Sequence, residues 1–201
     1  TGNANYAWIS HFLHHLAPKG MAGFVMANGS MSTSTTAEKA MREKWVQDDM
    51  VGCIVALPGQ LFYTTGIPVC LWFMTKAKPG ARKGETLFID ARKVGALVDR
   101  THRELSAEDI SRISGVYDAW LGREGAGDYE DELGFCASAS LEEIEKHGFV
   151  LTPGRYCGSA VEEDDGEPFE VRFPALVATL EEQFAEAAEL RGEISARLGH
   201  L

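Results

Sequence analysis

Two uninterrupted apolar runs constrain this chain more than any other feature. Met50-Val51-Gly52-Cys53-Ile54-Val55-Ala56-Leu57 and the run at 67–75 are each strand-length and apolar on both faces. That is the pattern of strands in a sheet covered by helices on either side. The link after Leu57, Pro58-Gly59-Gln60-Leu61-Phe62-Tyr63-Thr64-Thr65-Gly66, is too short for a helical crossover. The two strands must therefore run antiparallel. The link is nonetheless longer than the roughly two residues a tight hairpin needs.

Upstream, residues 5–17 predict a helix, with Ile9, Phe12, Leu13 and Leu16 on one face and Pro18-Lys19-Gly20 as its stop. Met21-Ala22-Gly23-Phe24-Val25-Met26-Ala27 reads as a short buried strand ending at the turn signal Asn28-Gly29-Ser30. The Ser/Thr-rich stretch 30–36 offers N-caps for a helix over 36–47, with Ala37, Ala40, Met41 and Trp45 as its inner stripe. Strand, helix, strand in this order predicts a parallel crossover, so Ala27 and Leu57 end their strands at the same end of the sheet. Residues 86–90 predict a last short strand at an edge.

Beyond Asp90, a helix over 106–121 is capped by Ser106, and residues 123–132 form a Gly-rich acidic surface loop. Ser140-Leu141-Glu142-Glu143 is a capping box opening a short helix that ends at Gly148. Residues 158–168 predict a mobile acidic linker. Phe173, Val177, Leu180, Phe184, Ala187, Arg191, Ile194, Leu198 and Leu201 then follow alternating spacings of four and three, the a/d seam of a coiled coil. Such a seam folds back on the chain's own helices or takes a separate protein partner.

The net charge is −11, but it is unevenly spread. Residues 51–105 hold eight basic and four acidic side chains, and residues 106–201 hold seven basic and twenty-two acidic. The basic middle could face a polyanion while the acidic end points elsewhere; the plainer reading is two solvated faces. No apolar run reaches the length of a membrane span. Four cysteines without a C-x-x-C pair give no zinc or redox signature and suit a reducing cytoplasm. The first residues lack an initiator Met and the pattern of a signal peptide, as in a processed chain or a piece of a longer one.

Chemistry has few anchors. His11, His14 and His15 share helical spacing but read as a wet face, and no metal site is expected. Neither a G-x-G-x-x-G nor a G-x-x-x-x-G-K-[ST] cradle occurs. Asn28, Gly29 and Ser30 sit where α/β sheets keep ligands, at the carboxyl end of a parallel strand; an ordinary turn and cap is the alternative. The 58–68 loop hangs from the same end. Its Phe62 and Tyr63 are candidates for stacking a planar base, unless Phe62 plugs the core below.

Several stretches together resemble one family. Ala-Asn-Tyr-Ala-Trp-Ile at 4–9, Gly-Phe-Val-Met-Ala-Asn-Gly-Ser-Met at 23–31 and the 56–68 stretch resemble the modification subunit of type I restriction–modification systems. So do Leu-Phe-Ile-Asp-Ala-Arg-Lys at 87–93, Asp-Arg-Thr-His-Arg-Glu-Leu at 99–105 and Gly-Phe-Val-Leu-Thr-Pro-Gly-Arg-Tyr at 148–156. The resemblance is collinear over nearly the whole chain. It implies an S-adenosyl-L-methionine-dependent methyltransferase acting on the exocyclic amino group of adenine in DNA, with the base flipped from the duplex. The family's Asn-Pro-Pro-Phe signature and Gly-rich cofactor turn do not occur in this sequence, and the matched region starts just after that catalytic loop.

The expected fold is therefore α/β: the C-terminal half of a Rossmann-like methyltransferase sheet with an antiparallel final hairpin over 1–105. A helical and loop extension at 106–168 and a coiled-coil helix at 169–201 follow. The resemblance implies base-pocket residues among Asn28, Gly29, Ser30, Pro58, Gly59, Phe62 and Thr65. It puts DNA contacts among Lys76, Lys78, Arg82, Lys83, Arg92 and Lys93. Catalytic residues are expected upstream, with no cofactor binding and no methyl transfer by this chain alone. Expected partners are a specificity subunit, a second modification subunit, DNA through the assembled complex, and a second copy of the chain through its incomplete sheet. The alternatives are a non-enzymatic interaction module built on a partial sheet, and a nucleic-acid-binding domain using residues 76–103.

Overall fold

The computed structural model describes residues 4–158 and 169–198 and divides into two compact units, Thr1–Ala160 and Val161–Leu201. In chain order the elements are α1 (Ala4–His15), β1 (Met21–Ala27), α2 (Thr36–Gln47), β2 (Val51–Ala56), β3 (Val69–Thr75) and β4 (Glu85–Asp90). They continue with β5 (Ala96–Leu97), β6 (Arg103–Glu104), α3 (Ala107–Trp120), β7 (Cys136–Ser140), α4 (Leu141–Lys146) and α5 (Phe169–Leu198).

Five strands form one sheet in the order β1-β3-β2-β4-β7. β3 is antiparallel to both β1 and β2, so β1 and β2 are parallel with β3 between them. This is the crossover and hairpin that the apolar runs require. β2 pairs parallel with β4, and β4 antiparallel with β7. β4 is thus an interior strand, correcting the edge position expected for residues 86–90. The outer place is taken by β7, Cys-Ala-Ser-Ala-Ser, whose small residues carry no strand signal. The other edge is β1, which is not buried as expected: Met21 is 49% and Val25 52% exposed.

One face of the sheet packs Ile54, Trp72, Met74 and Phe88 against Tyr6, Ile9 and Leu13 of α1 and Trp45 and Val46 of α2. The other packs Cys53, Val55, Leu87 and Ile89 against Trp120, with Ile113, Val116 and Tyr117 of α3 partly buried. Helices on both faces explain why β2 is buried at every position. The inner side of α2 differs from the expected stripe. Ala37 and Ala40 are exposed, and Glu38 and Arg42 are buried beside Trp45 and Val46. α3 opens on a reciprocal capping box between Ser106 and Asp109, which supplies donors and acceptors to its first turn.

α5 is a single helix of 30 residues with Pro174 near its start. Its described seam residues Phe173, Val177, Leu180, Phe184, Ile194 and Leu198 are exposed. Leu201 of the expected heptad and the acidic stretch 159–168 lie outside the described residues. Among the described residues no helix is long and apolar enough to cross a membrane, and no group of three or more His, Cys, Asp or Glu could hold a metal ion.

Candidate functional site

Strand directions decide what meets at the sheet's ends. The carboxyl ends of β1, β2 and β4 and the start of β3 share one end, because Ala27 pairs with Val69, and Ala56 with Cys70 and Asp90. Three segments hang there: the turn after Ala27, the 57–68 loop and the 91–105 ribbon.

The turn after β1 is a short 3-10 segment, Asn28–Met31. It borders a cleft of about 440 Å³ lined by Asn5, Tyr6, Ala27, Gly29, Ser30, Ser32, Thr33, Ser34 and Glu38. Beneath the cleft lies a buried polar network. Tyr6 donates its hydroxyl to the Ser30 carbonyl at 2.5 Å. Arg42 donates Nε to the Phe149 carbonyl at 2.6 Å, Nη1 to the Tyr6 hydroxyl at 3.1 Å and Nη2 to the Thr33 carbonyl at 3.2 Å. The Trp72 indole donates to Ser30 Oγ at 3.1 Å. Burial pushes the Tyr6 hydroxyl above its ordinary range, and Arg42 partly offsets the rise. The buried Oδ1 of Asn28 has no hydrogen-bond partner.

The 57–68 loop forms a closed tip. Gln60 N–H donates to the Gly66 carbonyl at 3.2 Å, and Phe62 bridges Thr65. A Cβ on Gly59 would lie 2.7 Å from the Gly66 carbonyl oxygen, so the close approach of the loop's two legs requires glycine there. Gly29 has no such constraint, since nothing lies within 4 Å of a Cβ built on it. Pro58 is buried and Thr65 exposed. Phe62 is 41% and Tyr63 89% exposed, so Phe62 is not a core plug. The loop is tied to the ribbon: Arg103 N–H donates to the Gln60 carbonyl at 2.8 Å, and Gln60 Nε2 to the Arg100 carbonyl at 3.3 Å. Tyr63 stacks on His102 with ring centroids 4.3 Å apart. Sequence reasoning missed His102, because the two partners are separated by three strands and nothing in their spacing pairs them.

Of the candidate base-pocket residues, Gly29 and Ser30 line the cleft and Asn28 stands beside it, whereas Pro58, Gly59, Phe62 and Thr65 belong to the neighbouring loop and do not line it. The candidate DNA contacts are also split. Lys76, Lys78, Arg82 and Lys83 follow Thr75 and so lie at the opposite end of the sheet. Lys76 Nζ donates to the Leu16 carbonyl at 2.7 Å. Lys78 is buried, 2.5 Å from both Asp49 Oδ1 and the Glu85 carbonyl. Arg82 bonds the Trp120 carbonyl and lies over the Trp120 and Tyr129 rings. These three hold the fold together, and Lys83 is exposed beside them. Arg92 and Lys93 are at the cleft end, Arg92 paired through two nitrogens with Asp90.

An open-edged mixed sheet with its cleft and aromatic loop at one carboxyl end belongs to the class of α/β domains that keep ligands outside the ends of their strands. The chain belongs to the N-6 DNA methylase family, whose model matches residues 1–165. It is 50% identical over 200 residues to the type I restriction enzyme HindI methylase subunit of Haemophilus influenzae. It is 42% identical over 200 residues to the MjaIX methylase subunit of Methanocaldococcus jannaschii. Both alignments cover 100% of this chain, which spans 44% of the first relative's length and 35% of the second's. The fold is shared with a solved type I restriction–modification methyltransferase subunit from Streptococcus thermophilus. That match has a TM-score of 0.67 at 23% identity and covers 79% of this chain and 31% of the other.

Proposed function

We propose that this chain is the C-terminal part of a type I restriction–modification methylase subunit that transfers a methyl group to the exocyclic amino group of adenine in DNA. The observation that carries the reading is the end-to-end collinear similarity to such subunits, together with an exposed aromatic loop at the ligand end of the sheet. The chain's own residues supply one wall of a base pocket. Phe62 and Tyr63 offer ring faces for stacking, and the bonds from Gln60 to the ribbon fix the loop that carries them.

S-adenosyl-L-methionine, the methyl donor of this reading, does not fit the residues described here. The turn after β1 gives its glycine no close-approach role, and the cleft offers hydroxyls and one carboxylate rather than a backbone cradle. We assign its site to residues outside this chain. A specificity subunit and a second modification subunit are the partners of this reading. α5, with its exposed apolar seam, is the surface for the first, and the open β1 edge favours self-association of the isolated chain. The reading places the complex in the cytoplasm with DNA.

The loop is tested in a full-length subunit carrying this chain. Replacing both Phe62 and Tyr63 by Ala should lower kcat/KM for methyl transfer about 10- to 100-fold, the worth of a stacked base, while stability falls only by the Tyr63–His102 stack and the half-buried Phe62 ring, about 1–2 kcal/mol. Unchanged methyl transfer in the double variant would remove the loop from the pocket. A second reading, an interaction module without enzymatic work, is favoured by the exposed α5 seam alone. It predicts tight subunit binding together with no methyl transfer even in the full-length protein.

A further inference from the structure

Tyr63 stands in the 57–68 loop 89% exposed, yet its ring has a fixed neighbour. One face lies on the His102 imidazole, with centroids 4.3 Å apart and planes 16° from parallel. Since most of the side chain is still bare, the opposite face of the ring is open. His102 itself is only 8% exposed, a depth seldom found for a polar ring on a two-stranded ribbon.

The ribbon is built to hold that imidazole. β5 and β6 pair Ala96 with Glu104 and Leu97 with Arg103. Between them, Asp99 Oδ1 accepts from the Thr101 N–H at 2.7 Å, the Thr101 hydroxyl at 3.0 Å and the His102 N–H at 2.8 Å. The His102 carbonyl accepts from the Val98 N–H at 3.0 Å, and Arg103 N–H reaches across to the Gln60 carbonyl at 2.8 Å. Ribbon and loop are therefore joined right beside the stack. The ring nitrogens of His102 contribute little to this. Nδ1 is buried with no hydrogen-bond partner among the described residues, and Nε2 meets Glu104 Oε1 only at 3.5 Å. A buried histidine kept for its hydrogen bonds uses both nitrogens; here the flat face is what is used.

We propose that His102 is a positioning residue for base stacking. It backs Tyr63 so that the open face of the tyrosine ring is held in one orientation, and a planar base completes a three-layer stack of imidazole, phenol and base. The proposal rests on the stacking role given to the loop above and adds the residue that fixes it. Without the backing ring, an exposed Tyr on a loop turns between rotamers, and each stacking event must first order it at an entropic cost. His102 acts through Tyr63 alone.

The test is a double-mutant cycle in a full-length subunit carrying this chain, assembled with its specificity subunit and assayed for methyl transfer. His102→Leu, which fills the space without a flat ring, should lower kcat/KM about 3- to 10-fold, the range an aromatic pair is worth. It should have no further effect once Tyr63 is Ala. His102→Phe, which keeps a flat ring, should recover most of the loss. A purely structural His102 gives a different pattern, with losses that add to those of Tyr63→Ala and follow the urea midpoint. A second measurement needs no enzyme. In the NMR spectrum of the chain, the Tyr63 ring protons should be shifted upfield by the imidazole and return towards free-tyrosine positions in His102→Leu. Unshifted Tyr63 protons in the unaltered chain, additive losses, or full activity in His102→Leu would overturn the proposal. Methyl transfer that survives loss of both Phe62 and Tyr63 removes the stacking role, and this proposal with it. Methyl transfer that falls on their loss but not in His102→Leu removes the His102 assignment alone.

Discussion

Replacing Arg42 by Ala should cost about 4 kcal/mol of stability, enough to unfold much of the protein at 37 °C. The guanidinium is 1% exposed and joins three parts of the chain: α1 through Tyr6, the turn after β1 through Thr33 and the segment after α4 through Phe149. Truncation leaves the buried Phe149 carbonyl, the half-buried Thr33 carbonyl and the buried Tyr6 hydroxyl without that donor, at about 1–3 kcal/mol for each unsatisfied group, and opens a void where the side chain lay. Some of the carbonyls recover water through the adjoining cleft, which holds the total near the lower end of their sum. Arg42→Lys keeps one charge but not the three-way fork, and should recover less than half the loss. Urea denaturation of the three proteins checks this. A loss under 1 kcal/mol for the Ala variant would mean the network is not what ties these segments together.

Trp72→Ala should be of similar size, about 4 kcal/mol, for a different reason. The indole is fully buried at the middle of β3, meets Trp45 edge-on at 6.4 Å and donates to Ser30 Oγ at 3.1 Å. Removing a core Trp typically costs about 3–5 kcal/mol through lost transfer energy and an unfilled cavity. Trp72→Phe restores most of the packing but not the bond to Ser30. It should cost about 1–2 kcal/mol and perturb the cleft, seen as NMR shift changes at Gly29 and Ser30. The measurement is again the urea midpoint with an unchanged slope. Equal losses for Phe and Ala would show that the hydrogen bond, not the volume, carries the effect.

The parts of this structure that the sequence made legible are those where one local signal decides. β2 and β3 were readable because they are apolar on both faces, and their antiparallel pairing because the connector is short. Ser106 and Ser140 announced the two helices they cap. The parts that were not legible depend on neighbours. β7 is made of Cys, Ala and Ser and becomes a strand only because β4 offers its edge. β1 reads as buried from its apolar residues, but burial needs a covering layer, and Met21 and Val25 have little over them. Glu38 and Arg42 look like a solvated charge pair one turn apart, and only the approach of α1 and the Phe149 segment buries them. Lys76 to Arg103 looks like one basic patch along the chain, but the reversed direction of β3 sends its first half to the far end of the sheet. For the site, the aromatic loop and the turn after Ala27 were correctly placed at one sheet end. Their division into a cleft and a separate loop, and the tie from Tyr63 to His102, needed three dimensions.

We propose that these residues form one wall of a DNA-methylating site whose reacting groups come from outside the chain. The most direct measurement is incorporation of a labelled methyl group from S-adenosyl-L-methionine into unmethylated DNA. It should be made with the chain alone, and with a full-length subunit carrying it plus its specificity subunit. The expected result is no incorporation above background by the chain and site-specific labelling of adenine amino groups by the assembled enzyme. Labelling by the chain alone, or none by the assembled enzyme, would contradict it.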